Sequence, residues 1–111
     1  MDISAFLTPP DIMSAKRVLC IQPHPDDNEI GMGGVVAALA GRGCEVHYLT
    51  VTNGDLGDQS GTMEPAELAA LRREETVAAG KALGASKFYF FDEPDGSLQD
   101  IPALAGKIAT L

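Results

Sequence analysis

His24, Asp26 and Asp27 bring one imidazole and two carboxylates together within four residues. Both kinds of group are ligands of divalent metals, and such a cluster is unfavourable to bury unless it binds a cation or meets solvent. A single histidine beside two aspartates more often forms a hydrogen-bonded turn in an arbitrary protein. The spacing alone therefore leaves a metal site and a structural turn open.

Acidic side chains concentrate in the segments that follow the predicted strands. Half of the 16 acidic residues lie there, and carboxylates that crowded repel one another unless a cation or hydrogen-bond donors compensate. A divalent metal is the simplest explanation, and a solvated acidic rim is the alternative. The residues concerned are Asp26, Asp27, Glu29, Asp55, Asp58, Asp92, Glu93 and Asp95.

The glycines at 31, 33 and 34 suggest a second kind of site, a turn that cradles the pyrophosphate of a dinucleotide. That motif requires a further glycine at the position of Val36. Three acidic residues lie just upstream and would repel a phosphate group. The sequence therefore does not favour an anion-binding loop.

Strands and helices alternate along the chain. A continuous apolar run at 18–21, too short for a helix, predicts that 17–22 is a strand buried on both faces. Residues 1–15 form an N-terminal lead-in, with a short helix expected at 2–7, and residues 16–111 form one α/β unit. The other predicted elements are a helix at 35–40 ended by Gly41 and Gly43, a strand at 46–52, a helix at 65–83 ended by Gly84, a strand at 87–91, and a last helix with Ile101, Leu104, Ile108 and Leu111 on one face, inside which the chain stops.

This alternation implies a parallel sheet with right-handed crossover connections, and hence an α/β fold. The three acidic segments that follow the strands then emerge at the carboxyl ends of the strands. Ligands bind at that edge in open α/β sheets. The candidate residues of the three segments should therefore lie close together.

The helix at 65–83 carries one charged residue on an otherwise apolar face. The predicted stripe is Leu68, Leu71, Glu75, Ala78 and Ala82. Arg72 lies three residues before Glu75 on the same side and can pair with it. A structural pair that holds the helix to the sheet is one interpretation of these two residues.

Composition excludes several classes of protein. The net charge is −8 with only eight Lys and Arg residues, which argues against nucleic-acid binding. No apolar window approaches the roughly 18 residues of a membrane span, and the N-terminus lacks the pattern of a signal peptide. We therefore expect a cytoplasmic protein in which Cys20 and Cys44 are free thiols.

Several segments together resemble the PIG-L/LmbE-like family of zinc-dependent N-acetylglucosaminyl deacetylases. The resemblance covers most of the range 17–96. The motifs that carry it are His24-Pro25-Asp26-Asp27, Gly31-x-Gly33-Gly34, the segment VHYLTVTNGDLGD at 46–58, Arg72-x-x-Glu75, Ala82-Leu83-Gly84 and Pro94-Asp95-Gly96.

The resemblance implies a Rossmann-like three-layer αβα fold, a function and a set of roles. His24 and Asp27 would bind Zn²⁺ or another divalent metal, and Asp26 would be the general base. Arg72 and Asp95 would contact the sugar of a small amino-sugar conjugate. Zinc would keep one position for water, lower its pKa to about 7 and polarise the amide carbonyl, so that the water removes the N-acetyl group.

Two positions depart from the family pattern. Asn28 stands where an acidic residue is usual. The third zinc ligand of the family is a histidine in a later segment that these 111 residues lack. His47 lies at the start of the second strand, about 16 Å from its polar end at roughly 3.3 Å per residue, and cannot replace it. The sequence therefore predicts only the first half of such a domain.

A half domain leaves the first strand with an open edge. Its apolar residues at 18–21 lack the charges, prolines and bulges that protect natural edge strands. We expect the missing C-terminal half, or a homo-oligomer, to cover it. The alternative function is a non-catalytic α/β module whose acidic edge binds a metal or a cationic partner.

Overall fold

A computed structural model of the chain describes residues 8–55, 61–94, 96 and 100–111. These residues form three strands and three helices in alternation, after a short 3-10 helix at Ile12–Ser14. The helix expected at 2–7 lies outside the described residues. No helix in the described part is long and apolar enough to cross a lipid bilayer. The elements are β1 (Arg17–Gln22), α1 (Asp27–Gly41), β2 (Glu45–Thr52), α2 (Pro65–Leu83), β3 (Lys87–Glu93) and α3 (Ile101–Ala109).

The three described strands form one parallel sheet in the order β1-β2-β3. This confirms the α/β fold predicted from the alternation of elements. The central strand β2 is buried from Val46 to Thr52, as its β-branched and aromatic composition predicts. The parallel register brings the carboxyl ends of the strands to one edge of the sheet.

Alternate residues of the sheet face two different helical layers. On one face, Cys20 and Tyr48 pack with Val36 and Leu39 of α1 in the main core cluster. On the other face, Leu19, His47 and Tyr89 of the three strands line one cavity together with Ile108 of α3. The layers are therefore helix, sheet and helix, as expected.

Helix α2 approaches the sheet closely at Gly80. A Cβ atom at this position would lie 2.4 Å from Phe88 Cε1 and 3.1 Å from Tyr48 Cε2. Only glycine allows this approach without a shift of the rings. Gly84 caps the helix with φ of 104°, a left-handed conformation that glycine adopts readily.

Strand β1 is the edge strand, as predicted, and among the described residues it pairs only with β2. The expectation that it is buried on both faces is wrong for these residues. Leu19 and Ile21 are 38% and 46% exposed, because α3 reaches only part of their side of the sheet. An apolar cavity of 300 Å³ follows this edge, lined by Ile12, Val18, Leu19, Cys20, Ile21, Met32, Val35, Val36 and Leu39.

Helix α1 begins eight residues earlier than the apolar pattern predicts. It starts at Asp27 rather than at position 35, so all three glycines of the motif lie inside the helix. Asp27 and Glu29 in its first turn favour the helix N-terminus. Among the described residues, Gly33 has only Leu83 nearby, at 3.7 Å, and Gly31 and Gly34 have nothing within 4 Å. In the described structure, therefore, no neighbouring element packs closely against these glycines.

The boundaries of α2 match the prediction, but its buried face does not. Leu68, Thr76 and Gly80 are buried, whereas Leu71 is 39% exposed and Glu75 is exposed. The predicted stripe is therefore wrong beyond Leu68. The helix turns small and polar residues towards the sheet, because bulky rings of β2 and β3 already occupy the space there.

The last strand and helix also differ from the prediction. β3 continues two residues further, so Asp92 and Glu93 belong to a strand rather than a turn. α3 ends at Ala109, and the N–H of Thr110 closes its last turn by donating to Gly106 O. The expectation that the chain stops inside this helix stays a prediction, because only two residues follow Ala109. Of its predicted apolar face, Leu104 and Ile108 are half-buried and the two outer residues are exposed.

Candidate functional site

Two buried amides hold the turn that carries the candidate metal ligands. Gln22, at the end of β1, donates through Nε2 to Thr50 Oγ1 at 2.7 Å and accepts from the backbone N–H of Asn28 at 2.9 Å. Asn28 donates through Nδ2 to Cys20 O at 3.3 Å. Both amide residues are almost fully buried. Asn28, a departure from the family pattern, therefore joins the start of α1 to the end of β1.

The turn itself has an unusual backbone. Asp26 has φ of 78° and ψ of −10°, a left-handed conformation that is uncommon for a residue other than glycine. It precedes the first residue of α1, and its carbonyl accepts from the N–H groups of Glu29 and Ile30, both at 3.1 Å. Asp26 and Asp27 are thus adjacent in sequence but occupy different kinds of position.

The structure brings the two predicted metal ligands together. His24 Nδ1 lies 3.5 Å from Asp27 Oδ2, and the same oxygen accepts from the His24 backbone N–H at 3.0 Å. Their side chains are 52% and 41% exposed, so a ligand can approach. Two atoms that share a tetrahedral zinc ion at bond lengths of about 2.1 Å lie roughly 3.4 Å apart. The donor types and their separation fit such an ion.

Among the residues that the structure describes, no third metal-ligating side chain joins this pair. His47 lies near the amino end of β2, where its Nε2 is 2.7 Å from Glu45 Oε1. This hydrogen bond is the main reason that the pKa of Glu45 is lowered. The position of His47 agrees with the expectation that it does not complete the site.

A cavity of 140 Å³ between α1 and α2 adjoins the turn. It brings together Asp26 and Arg72, two of the residues predicted to act on substrate, whereas Asp95 lies outside the described residues. The predicted ion pair is also present, with Arg72 Nη1 3.0 Å from Glu75 Oε2. The lining residues are Pro25, Asp26, Glu29, Arg72, Glu75, Thr76 and Ala79.

The loop after β2 packs against the turn at Gly54. Its φ is 70°, and a Cβ atom there would lie 3.1 Å from Pro25 Cδ and 3.6 Å from Arg72 Cγ. A side chain at position 54 would therefore be strained by the backbone and crowded by both neighbours. The Asn53-Gly54 pair that ends β2 thereby lets the loop lie next to the candidate site.

The burial of the Glu29 carboxylate is not apparent from the sequence. Both carboxylate oxygens are buried, and within the described structure they have no hydrogen-bond partner. Burial raises the pKa of Glu29, and the neighbouring charges of Asp26 and Asp27 raise it further, against an opposing backbone hydrogen bond. The hydroxyls of Tyr48 and Thr76 are also buried, with no hydrogen-bond partner among the residues that the structure describes.

Ion pairs within the protein neutralise part of the acidic edge that the sequence predicts. Asp92 and Glu93 extend from β3, and each pairs with a cation from a helix. Asp58 and Asp95 lie outside the described residues. The acidic edge is therefore partly neutralised by the protein itself, and His24 and Asp27 are the residues whose geometry fits a metal.

Residues 19–111 match the model of the PIG-L family, described as GlcNAc-PI de-N-acetylase. The chain belongs to this family. The PIG-L chain is 38% identical to the diacetylchitobiose deacetylase of Thermococcus kodakarensis, over 86% of its own length and 36% of that protein. It therefore spans about a third of the length of this relative.

Solved structures agree with the family assignment. The N,N′-diacetylchitobiose deacetylase of Pyrococcus horikoshii, in complex with an inhibitor, matches with a TM-score of 0.87 and 36% identity, over 96% of this chain and 40% of that one. GalB of Pseudomonas putida KT2440, a 4-carboxy-2-hydroxymuconate hydratase, matches with a TM-score of 0.76 and 30% identity, over 86% and 41%. The same fold therefore occurs in a deacetylase and in a hydratase.

Proposed function

We propose that this chain is the amino-terminal part of a zinc-dependent deacetylase that hydrolyses the N-acetyl group of an N-acetylglucosamine-type sugar conjugate. The observation that carries the proposal is the 3.5 Å separation of His24 Nδ1 and Asp27 Oδ2 beside Asp26. This group lies at the carboxyl edge of a parallel sheet, where open α/β folds bind ligands. Membership of the PIG-L family supports the reaction.

In this proposal the adjacent residues Asp26 and Asp27 have different roles. His24 and Asp27 hold Zn²⁺ or another divalent metal, which polarises the amide carbonyl and makes water more acidic when bound. Asp26 accepts the proton of the attacking water and later passes it to the departing amine. Arg72 and Asp95 contact the sugar. The left-handed backbone of Asp26 is what separates its direction from that of Asp27.

A further segment of protein completes the site in this proposal, and it is the C-terminal half of the domain or a second copy of the chain. It supplies the third ligand and covers the open edge of β1. The position of α3 is consistent with this, because Ile108 and Leu111 line one cavity together with Leu19 of β1.

The second candidate function is a non-catalytic module that binds a metal or a cationic partner. It is favoured by the presence of two metal-ligating side chains, rather than three, in the described part of the chain. A module of this kind would bind a divalent metal with or without added segments. It would not release acetate in either state.

Zinc analysis and an acetate-release assay with N,N′-diacetylchitobiose distinguish these functions. We expect this chain alone to bind zinc weakly and to release no acetate. A protein that includes the downstream half should bind zinc tightly and release acetate. Bound zinc without acetate release in the longer protein would favour the non-catalytic module. Hydration of an unsaturated dicarboxylic acid without acetate release would place the protein with the hydratase instead.

A further inference from the structure

Two cationic side chains, one from the helix on each face of the sheet, contact the carboxyl end of β3. From α2, the guanidinium of Arg73 lies 4.1 Å from the ring centre of Phe90, and its Nη2 is 2.5 Å from Asp92 Oδ2. From α3, Lys107 Nζ lies 4.4 Å from the ring centre of Phe91 and 2.9 Å from Glu93 Oε1. Each cation contacts an aromatic ring and the acid two residues later. We call these six residues the β3 clamp.

The two pairs of strand residues meet opposite helices. Phe90 and Asp92 contact Arg73 of α2, while Phe91 and Glu93 contact Lys107 of α3. Contact with an aromatic face adds to the attraction between a cation and a carboxylate. The sequence Phe-Phe-Asp-Glu thus presents the same binding pattern once to each layer.

The clamp surrounds an irregular part of the backbone. Asp92 has φ of 56°, and the pairing register of β2 and β3 shifts between Thr50 and Thr52, with Thr52 opposite Glu93. A non-glycine residue keeps such a conformation only where its surroundings hold it, and a bulge changes the direction in which the following backbone leaves the sheet. The clamp therefore sets the direction of the chain at Pro94.

Hydrogen bonds connect this end of β3 to the turn that carries His24. Asn53 N donates to Glu93 O at 3.0 Å, and Thr52 donates to Pro23 O through its backbone N at 2.9 Å and through Oγ1 at 2.8 Å. Pro23 directly precedes His24. A displacement of the β3 end would thus move the end of β2, and with it the turn that carries His24.

We propose that Arg73 and Lys107 are positioning residues for the site, which they align by fixing the carboxyl end of β3. This inference rests on the proposed deacetylase function. Both ion pairs are half-exposed, with side-chain exposures of 47% and 53% for Arg73 and Asp92 and of 46% and 32% for Lys107 and Glu93. Exposed pairs contribute little to global stability. The effect of the clamp is therefore local, at the edge where substrate binds.

The test compares Arg73→Ala and Lys107→Ala with Arg42→Ala and Lys81→Ala, which remove exposed cations outside the clamp. Hydrogen exchange at the Asn53 amide is measured first, because it needs no enzymatic activity. In this chain we expect the clamp variants to exchange at least about 5-fold faster at Asn53, since local opening depends on contacts in the same segment. The control variants should exchange like the wild type.

The second measurement is KM and kcat for acetate release by the protein that includes the downstream half. Arg73→Ala should raise KM by on the order of 10-fold, because small misplacements of a binding edge weaken substrate positioning. Arg73→Lys should recover part of that loss, since lysine keeps the charge but not the planar group. The melting temperature should match that of Arg42→Ala.

Unchanged exchange at Asn53 in both clamp variants would overturn the inference. So would faster exchange with wild-type KM, or a loss of activity that simply follows a lower melting temperature. A wild-type protein that releases no acetate would refute the proposed function, and exchange at Asn53 would still report independently whether the clamp holds the strand end.

Discussion

At the scale of single residues, backbone conformation assigns different chemistry to neighbouring acids. Asp27 begins α1, and its carboxylate receives the backbone N–H of His24. Asp26 sits one residue earlier in a left-handed conformation and borders the cavity that Arg72 also lines. One acid is thereby directed to the imidazole and the other to the cavity between α1 and α2, where the substrate binds in the proposed function.

Substitutions at these residues should separate metal binding from proton transfer. His24→Ala and Asp27→Ala should each lower the zinc content of the protein with the complete site. Asp26→Asn should keep the zinc but reduce turnover by typically 10²-fold or more, because only the proton acceptor is removed. Zinc content and kcat are measured on the same preparations. Full zinc occupancy in both ligand variants, or near-normal turnover in Asp26→Asn, would contradict these roles.

Tyr48 should make stability depend on alkaline pH. Burial raises the pKa of its hydroxyl to about 12 from the ordinary value of 10.0, with smaller effects from Glu29 and Cys20. The neutral form favours the folded state, so its contribution is complete below pH 10 and is lost as the pH rises to about 12. The free energy of unfolding should therefore fall more steeply over this range in the wild type than in Tyr48→Phe.

Absorbance titration provides the direct measurement of this pKa. In a Tyr89→Phe background only Tyr48 contributes tyrosinate absorbance, because the chain has two tyrosines. Adding Glu29→Gln should lower the pKa of Tyr48, since a neighbouring negative charge is removed. Titration of Tyr48 near pH 10 in the folded protein would rule out this burial effect.

At the scale of elements, the packing of α2 depends on a missing side chain. Gly80 lies against the rings of Tyr48 and Phe88, which form an edge-to-face pair with centres 5.5 Å apart. Thr76 and Leu68 continue the same buried face. The helix therefore presents a groove to the aromatic residues of the sheet, not a ridge of leucine and alanine.

Gly80→Ala should destabilise the fold even though alanine favours helices. The added methyl group would meet Phe88 at 2.4 Å, and overpacking of this kind typically costs about 1–3 kcal/mol. Gly34→Ala is the matched control in α1, where no described residue lies within 4 Å, and it should stabilise by about 0.5–1 kcal/mol. Urea unfolding measures both. Equal stability changes in the two variants would show that α2 does not pack in this way.

At the scale of the whole molecule, the described residues leave the β1 edge of the sheet uncovered. Leu19 and Ile21 of β1 are exposed beside Met32 and Val35 of α1, which are 36% and 44% exposed. An unprotected apolar edge strand is a template for pairing with another chain. The covering segment in the proposed function would occupy this surface.

Ile21→Lys should reduce self-association of this chain. Lysine on an edge strand opposes pairing with a second strand, whereas Lys81→Ala, which changes an exposed residue of α2, should have no effect. Sedimentation velocity over a range of concentrations measures the outcome. We expect the wild-type chain to self-associate and the downstream half, added in trans, to suppress this. A wild-type chain that stays monomeric at high concentration would contradict the open-edge interpretation.

The sequence by itself determined the order and type of the main elements. The strand at 17–22 and the helix at 65–83 have the boundaries that their patterns predict. Apolar runs, a first-turn proline and a terminal glycine act within a few residues, so they can be recognised without the fold. Alternation of the elements was sufficient to predict a parallel sheet, and hence the edge at which His24 and Asp27 lie.

Only the tertiary structure decided which faces of these elements are buried. Hydrophobicity favours Leu71 over Gly80 and Thr76 as a core residue, yet α2 buries the latter two. Long-range packing overrides local preference there, because the rings of β2 and β3 leave room only for small side chains. The burial of Glu29 and the clamp on β3 likewise depend on partners distant in sequence. No local pattern encodes those contacts, since they exist only once the layers have assembled.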